Sequence, residues 1–337
     1  MVQNQRGGLG SLSTLKEADQ QLIRLLADGQ FRSGSQLGEV LGVSRAAVWK
    51  RAQRLNDFGL ALESVKGKGY RLAQPIELLD AEYLQDYLSK TVTPVDLHYS
   101  LITDSTNADA LAASNQAGRP AVFMAECQLA GRGRRGRQWQ SPFAANHYLS
   151  VRYPIQGGFG ALGGLSLAVG VAVADALTSI QPGMPVGLKW PNDLLVHGAK
   201  LGGVLIELAG EMDGRVDVVV GVGLNGRMTA AQAEQIDQRW TDLASVMGQL
   251  PTRTQVAAEV LSRLLIMLEE FSTQGFAPLV SRYERYDQVA GKTVKVQSAE
   301  QVLTGVAAGV SADGALRLET AEGLKELYGG EVSLRIQ

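Results

Sequence analysis

Residues Gly131-Arg-Gly-Arg-Arg-Gly-Arg-Gln-Trp139 set four arginines and three glycines ahead of a tryptophan. Such a stretch makes a poor core and a poor helix but a good anion loop. Glycine lets backbone N–H groups approach a phosphate closely, and guanidinium forks match phosphate or carboxylate oxygens in pairs. The tryptophan offers a face on which a base can stack. Gly131, Gly133 and Gly136 formally satisfy the dinucleotide pattern G-x-G-x-x-G. That pattern also needs a preceding strand, a helix opening within it and an acid about 20 positions later. Here Pro142 follows, and residues 151–160 contain no acid. A P-loop fails as well, because Arg137-Gln138 stands where Lys-Ser/Thr is required. A solvated arginine loop or a nucleic-acid tail is the competing reading at this point.

Four more segments combine polar groups with turn chemistry. Asp104-Ser105-Thr106-Asn107 lies between a strand and a helix, where N-capping is the ordinary explanation. In Lys189-Trp-Pro-Asn-Asp-Leu194, Pro191 restricts the backbone while Asn192 and Asp193 offer hydrogen bonds and a candidate magnesium ligand. Its plain alternative is an Asn-Asp turn. Lys200-Leu-Gly-Gly-Val-Leu-Ile-Glu207 starts an apolar strand with a lysine beside two glycines that permit close approach; a solvated strand end would look the same. Gly221-Val-Gly-Leu-Asn225 ends a strand in a polar turn, with Asn225 open to a structural or a functional role. Taken together, Arg132, Arg134, Arg137, Lys189 and Lys200 concentrate positive charge, and Trp139 and Trp190 offer aromatic faces. That suits ATP meeting a second anion such as a carboxylate. Joining a carboxylate to the α-phosphate is adenylation, which fixed cations and a metal ion would favour by offsetting the repulsion of like charges.

These groups need elements to hold them. Residues 17–27 carry helical apolar spacing. Residues 34–53 divide into a short helix, a turn at Gly42 and a second helix capped by Ser44, with Val43, Ala47, Val48 and Leu55 facing inward. Arg45, Trp49, Lys50 and Arg54 point elsewhere. Residues 61–72 read as a hairpin with Lys66-Gly67-Lys68-Gly69 at its tip. Helix-turn-helix plus basic hairpin is a winged helix, whose second helix would enter the major groove while Lys68 on the wing touches phosphate. A packing helical hairpin is the alternative. Farther on, strands are expected over 95–103, 121–127, 147–153, 201–208 and 216–222, and helices over 108–115, 162–177 and 254–271. The mixture suggests α+β organisation around one sheet. Residues 291–337 have short alternating runs split by Ser311-Ala-Asp-Gly314 and Gly329-Gly330, the pattern of a small β-barrel.

Composition sets the bounds. At 337 residues, 45% apolar and 20% charged, the chain is long enough for two or three globular domains. Net charge is −2, with +3 in residues 1–80 and −5 in the rest, so the mild basic bias permits nucleic-acid contact at the N-terminal end. Cys127 stands alone, which excludes an internal disulfide and fits a cytoplasmic location. Residues 1–14 look like a polar lead-in with no signal-peptide run. The apolar stretch 161–174 is too short to span a bilayer, so no membrane is expected. His98, His147 and His197 are scattered, and metal ligands stay unassigned.

The winged helix, the arginine–glycine loop, Lys-Trp-Pro-Asn-Asp-Leu, Lys-Leu-Gly-Gly-Val-Leu-Ile-Glu and Gly-Val-Gly-Leu-Asn, in this order, resemble bacterial biotin–protein ligases. The closer resemblance is to the bifunctional form that also represses the biotin operon, and it runs from about Leu22 to the C-terminus. It implies an α+β chain: a winged helix-turn-helix, a central mixed α/β ligase domain of class II synthetase-like fold, and a C-terminal SH3-like β-barrel. The implied division is a flexible lead-in at 1–14, the DNA-binding domain at 15–74, a linker at 75–83, the biotin and ATP domain at 84–290 and the barrel at 291–337.

By the same resemblance, Ser105, Thr106, Asn107, Gln128, Gly131, Arg132, Gly133, Arg134 and Lys200 would line the biotin site. Arg137, Trp139, Lys189, Asn192, Asp193 and Asn225 would hold ATP, Arg134 and Lys200 would be catalytic, and Ser44, Arg45, Trp49, Lys50 and Lys68 would meet DNA. The implied reaction takes biotin and ATP with Mg2+ to biotinyl-5′-AMP, then to a lysine of the biotin carboxyl carrier protein of acetyl-CoA carboxylase. The adenylate would also serve as corepressor, driving a homodimer onto operator DNA of biotin genes. A metabolite-sensing repressor without catalysis and a lipoate ligase are the alternatives; the first needs no ATP site, and the second would accept lipoate instead of biotin.

Overall fold

The computed structural model describes residues 17–113, 118–212, 214–297, 302–329 and 333–336. The polar lead-in at 1–14, Asn115 at the end of one expected helix, and Gly330 lie outside the described residues.

The first unit contains α1 (Glu17–Leu26), α2 (Gly34–Leu41) and α3 (Arg45–Leu55), followed by β1 (Leu62–Val65) and β2 (Gly69–Leu72). Ser33 caps α2 in a reciprocal box with Gln36, and Gly42 ends it in the left-handed conformation at φ 64°. Ser44 Oγ then accepts from the Ala47 amide at 3.2 Å and starts α3. Val48, Ala52 and Leu55 go to the core with Leu22, Ile23 and Leu26, while Val43 and Ala47 are only half-buried. Arg54 does not reach freely outward: Arg51 and Arg54 both pair with buried Asp19 of α1, at 2.5 and 3.2 Å. Antiparallel β1–β2 forms the wing.

The central unit runs α4 (Ala81–Thr91), β3 (Asp96–Thr103), α5 (Thr106–Ala112), β4 (Ala121–Gln128), β5 (His147–Gln156), α6 (Leu165–Ile180), β6 (Val186–Lys189), β7 (Asp193–Val196), β8 (Ala199–Met212), β9 (Arg215–Leu224), α7 (Leu243–Val246), α8 (Arg253–Gln274) and α9 (Val280–Glu284). Its seven strands lie in the order β3-β4-β5-β9-β8-β7-β6. Only β3–β4 is parallel, joined across α5. One face of the sheet, through Val122, Met124, Leu149, Val151, Val218, Val220 and Val222, packs against α6 and α8. Helix α6 is apolar nearly all round because it is buried nearly all round. The segment Phe159–Ile180 is long and apolar enough to cross a membrane by length and composition, but it lies in this core. The opposite face carries α5, packed through Ala110 on Phe123 and Val219.

Two features depart from the sequence reading. Helix α4 follows Asp80, which caps it, so the segment 75–83 ends inside a helix. Lys189–Leu194 is the bend of a β6–β7 hairpin, with Lys189 opposite Asp193. Four-residue strands are too short to show alternation.

The last unit is a five-stranded antiparallel sheet of β10 (Thr293–Gln297), β11 (Val302–Val310), β12 (Leu316–Thr320), β13 (Gly323–Leu327) and β14 (Ser333–Ile336), in the order β13-β12-β11-β10-β14. It docks on the central core through Val294, Val296, Leu316 and Leu318.

Candidate active site

On the α5 side of the central sheet lies a cavity of about 500 Å3. Its floor is polar where α5 begins. Ser105 caps that helix, and the cap geometry presents Thr106 and Asn107 to the sheet. Gln128 Oε1 accepts from the Thr106 amide at 3.0 Å, and Gln128 Nε2 donates to Ser141 Oγ at 3.0 Å. Ser150 Oγ lies 2.7 Å from Thr106 Oγ1 and 2.6 Å from Asn107 Oδ1. Ser105, Thr106, Asn107 and Ser150 are all nearly inaccessible to solvent.

The arginine–glycine loop forms the lid. It folds as a small hairpin: the Trp139 amide donates to the Gly131 carbonyl at 2.9 Å, and the Gly133 amide to the Arg137 carbonyl at 2.7 Å. Arg135 and Gly136, at φ 58° and 70°, turn the tip. Gly131 is required because a Cβ there would sit 2.6 Å from Ser141 Oγ and from the Trp139 carbonyl. Arg134 crosses from the loop to Asn192 Oδ1 at 3.0 Å and also donates to the Gly329 carbonyl of the barrel. Burial lowers the pKa of its guanidinium, with Asp193 opposing that shift.

The β6–β7 bend and the start of β8 supply the third wall. Trp190 and Pro191 are joined by a cis peptide bond. Lys200 Nζ is 2.7 Å from Asp193 Oδ1, and Lys189 Nζ is 3.4 Å from Asp193 Oδ2. Burial alone would raise the Asp193 pKa, but the two lysines outweigh it and hold the carboxyl below its usual range. Lys200 Nζ also lies 5.7 Å above the Trp139 ring. Among the described residues Trp139 Nε1 is buried without a hydrogen-bond partner. The pair Gly221 and Gly223 gains a reason here: a Cβ on Gly221 would meet Asn107 Oδ1 at 2.3 Å, and one on Gly223 would meet the Trp139 ring at 2.6 Å.

The cavity thus brings together Ser105, Thr106, Asn107, Gln128, Arg132, Gly133, Arg134, Arg137, Trp139, Lys189, Asn192, Asp193 and Lys200. Gly131 and Asn225 are not on its wall. Asn225 is buried, and its amide donates to the Lys200 and Thr241 carbonyls at 3.3 and 2.9 Å. The sequence reading missed Ser150, and Leu334 and Arg335 of the barrel, which also line the cavity. Ser150 sits in an otherwise strand-like run, and the barrel residues lie far away along the chain. In the winged unit Arg45, Trp49, Lys50 and Lys68 are exposed, Trp49 by 52%, while the Ser44 hydroxyl is occupied as a cap.

An arrangement of cations, an unpaired indole N–H and a polar pocket floor can hold a nucleotide triphosphate next to a small acid. Comparison with known proteins gives the same direction. Residues 99–225 match the biotin/lipoate A/B protein ligase family, residues 19–71 an HTH domain, and residues 289–335 the biotin protein ligase C-terminal domain. The chain is 40% identical to the bifunctional ligase/repressor BirA of Escherichia coli strain K12, over 93% of this chain and 96% of that protein. It is 31% identical to the BirA of Bacillus subtilis strain 168, over 96% and 99%. The solved biotin protein ligase from Aquifex aeolicus, in complex with biotin and ATP, superposes with a TM-score of 0.62 at 32% identity, covering 72% of this chain and 99% of that one. With the winged helix, the ligase core and the C-terminal barrel all present in one chain, the protein belongs to the biotin protein ligase family in its bifunctional ligase/repressor form.

Proposed function

We propose that this chain joins biotin to ATP as biotinyl-5′-AMP, passes the biotinyl group to a lysine of biotin carboxyl carrier protein, and represses biotin genes with the adenylate as corepressor. The observation that carries the reading is the single cavity in which Arg134, Lys189 and Lys200 face the same space as Trp139 and the Thr106–Gln128 floor. In the first step the biotin carboxylate attacks the α-phosphorus and pyrophosphate leaves. Lys200, half-buried against Asp193, offers its charge where the carboxylate and phosphate oxygens converge. Arg134, tied to the β6–β7 bend and the barrel, holds the loop across the adenylate. In the second step the carrier amine attacks the anhydride carbonyl and AMP leaves.

Ser105, Thr106, Asn107, Gln128, Arg132 and Gly133 then serve the biotin end. Arg137, Trp139, Lys189, Asn192 and Asp193 serve ATP. Gly131 and Asn225 contribute by shaping the loop and by holding the Lys200 backbone. Among the described residues no group of three or more metal-ligating side chains occurs. Asp193, a carboxylate on the cavity wall that also pairs with Lys189 and Lys200, is the protein group that would hold a magnesium ion beside the phosphate oxygens. When bound, magnesium neutralises phosphate charge.

The proposed units are a winged helix at 15–74, a linker at 75–83 whose last residues open α4, the catalytic domain at 84–290 and a barrel at 291–337. Arg45, Trp49, Lys50 and Lys68 meet operator DNA on a helix that Ser44 caps. Two copies assemble through the central sheet when the adenylate is bound, and the protein works in the cytoplasm. Incubation with ATP, magnesium, biotin and a carrier domain tests the enzyme. Biotin-dependent pyrophosphate release and a biotinyl mass shift on the carrier are expected; release with lipoate instead, or none, overturns the reading.

A further inference from the structure

Glu207 has no part in the chemistry above, yet it ends a chain of hydrogen bonds that begins on the cavity floor. Its Oε2 accepts from Asn107 Nδ2 at 2.8 Å and pairs with Arg132 Nη2 at 3.0 Å. The Leu205 carbonyl, 3.5 Å away, also faces Asn107 Nδ2. With two acceptors on that side, the amide has one workable orientation, Oδ1 toward Ser150. An amide oxygen has no proton to give, and a hydroxyl has one. Ser150 has one proton for two acceptors, Asn107 Oδ1 at 2.6 Å and Thr106 Oγ1 at 2.7 Å; when it goes to Asn107, the Thr106 hydroxyl, which also lies 3.2 Å from Gln128 Oε1, donates to Ser150. Gln128 is fixed from the backbone: its Oε1 takes the Thr106 amide proton, so its Nε2 gives to Ser141. The floor then has a definite polarity. Thr106 Oγ1 has given its proton to Ser150 and keeps a lone pair, and Gln128 Nε2 keeps a second N–H.

We propose that Glu207 is a positioning residue that sets this proton order, so that the floor accepts N–H donors such as those of a ring urea. The inference rests on the biotin reading and deepens it. Without an acceptor at position 207 only the Leu205 carbonyl, at 3.5 Å, opposes a turn of the Asn107 amide, and the short hydrogen bond that fixes it is gone. Ser150 would then accept from Asn107 and send its proton to Thr106, whose own proton would turn to Gln128 Oε1, 3.2 Å away, or into the cavity. A Thr106 proton turned into the cavity would meet an incoming N–H donor to donor, which is left unsatisfied in a buried site. The tie to Arg132 adds that the same carboxylate touches the lid.

The test uses the full chain and titration calorimetry with two ligands, biotin and biotin methylated at a ureido nitrogen. Glu207→Gln keeps an oxygen for the Asn107 amide but not the charge, and Glu207→Ala removes both. Glu207→Ala should weaken biotin by about tenfold or more and narrow the preference over the methylated analogue, while Glu207→Gln stays within about threefold of wild type. A merely structural loss would weaken both ligands alike. Equal weakening in both variants with an unchanged preference overturns the proposal, because the carboxylate would then act only through its charge on Arg132. Wild-type affinity in Glu207→Ala overturns it as well. A wild-type chain that fails to bind biotin rejects the ligase reading and this inference with it.

Discussion

Gly221 and Gly223 share β9 but support opposite ends of the cavity, one beneath Asn107 and the other beneath the Trp139 ring. Added methyl groups at these positions should therefore separate two functions. Overpacking costs about 1–3 kcal/mol, or roughly fivefold to 150-fold. Gly221→Ala should raise the KM for biotin with little change for ATP, and Gly223→Ala the reverse, in steady-state pyrophosphate assays. The cations separate by step. Lys200→Ala should slow adenylation by about 10²–10³, since it removes a charge from the developing transition state. Arg134→Ala should leave adenylation faster than that but release biotinyl-AMP into solution, which single-turnover trapping would detect. The cations were legible in the sequence because charge is out of place beside glycines and in apolar strands. Ser150 and Glu207 were not, because one polar residue in a strand is commonplace until its partners are known.

Whole elements carry the next effects. Strand β5 opens at His147, which is buried, with Nδ1 unpartnered among the described residues. Burial, assisted by Arg253, pushes its pKa from 6.5 down to about 3. The unfolded chain takes up a proton below pH 6.5 that the folded chain refuses, so this stability is complete above pH 6.5 and drains as the pH falls toward 3. At pH 5 the loss is about 2 kcal/mol. His147→Leu should flatten the dependence of Tm on pH between 6.5 and 4. On the wing, Lys68 lies 5.7 Å over the Phe31 ring beside exposed backbone. Lys68→Ala should weaken binding to all DNA sequences and reduce the salt slope by about 0.9; an unaltered slope would remove the wing from the interface. The winged helix was readable because turn, cap and hairpin are encoded within a few residues. The β6–β7 hairpin was hidden by strand length, and α4 was overlooked beside a linker-like run.

At the scale of the molecule, β8 outlasts its neighbour. Strand β7 pairs with it only as far as Gly203, while β9 pairs to Met212. Beyond Gly203 that flank of β8 has no strand partner among the described residues, and Leu208 is 46% exposed. Such an edge invites pairing with a second copy. Sedimentation at micromolar protein should show a dimer with biotinyl-AMP and mostly monomer without it; equal association in both would refute the switch and leave the ligase untouched.

The winged unit is also built onto the ligase core. Leu101, Cys127 and Phe143 of the central unit complete the apolar cluster of α1–α3. Arg24 lies 5.8 Å over Tyr99, whose hydroxyl meets the buried Glu126–Arg253 pair. Removing residues before Pro75 would thus abolish DNA binding and also bare an oily scar on the enzyme. A ligase that arose by shedding its winged helix had to resurface that scar, so polar side chains are expected where this chain has Leu101, Cys127 and Phe143. The same substitutions, introduced with the truncation, should turn a sticky fragment into a soluble one.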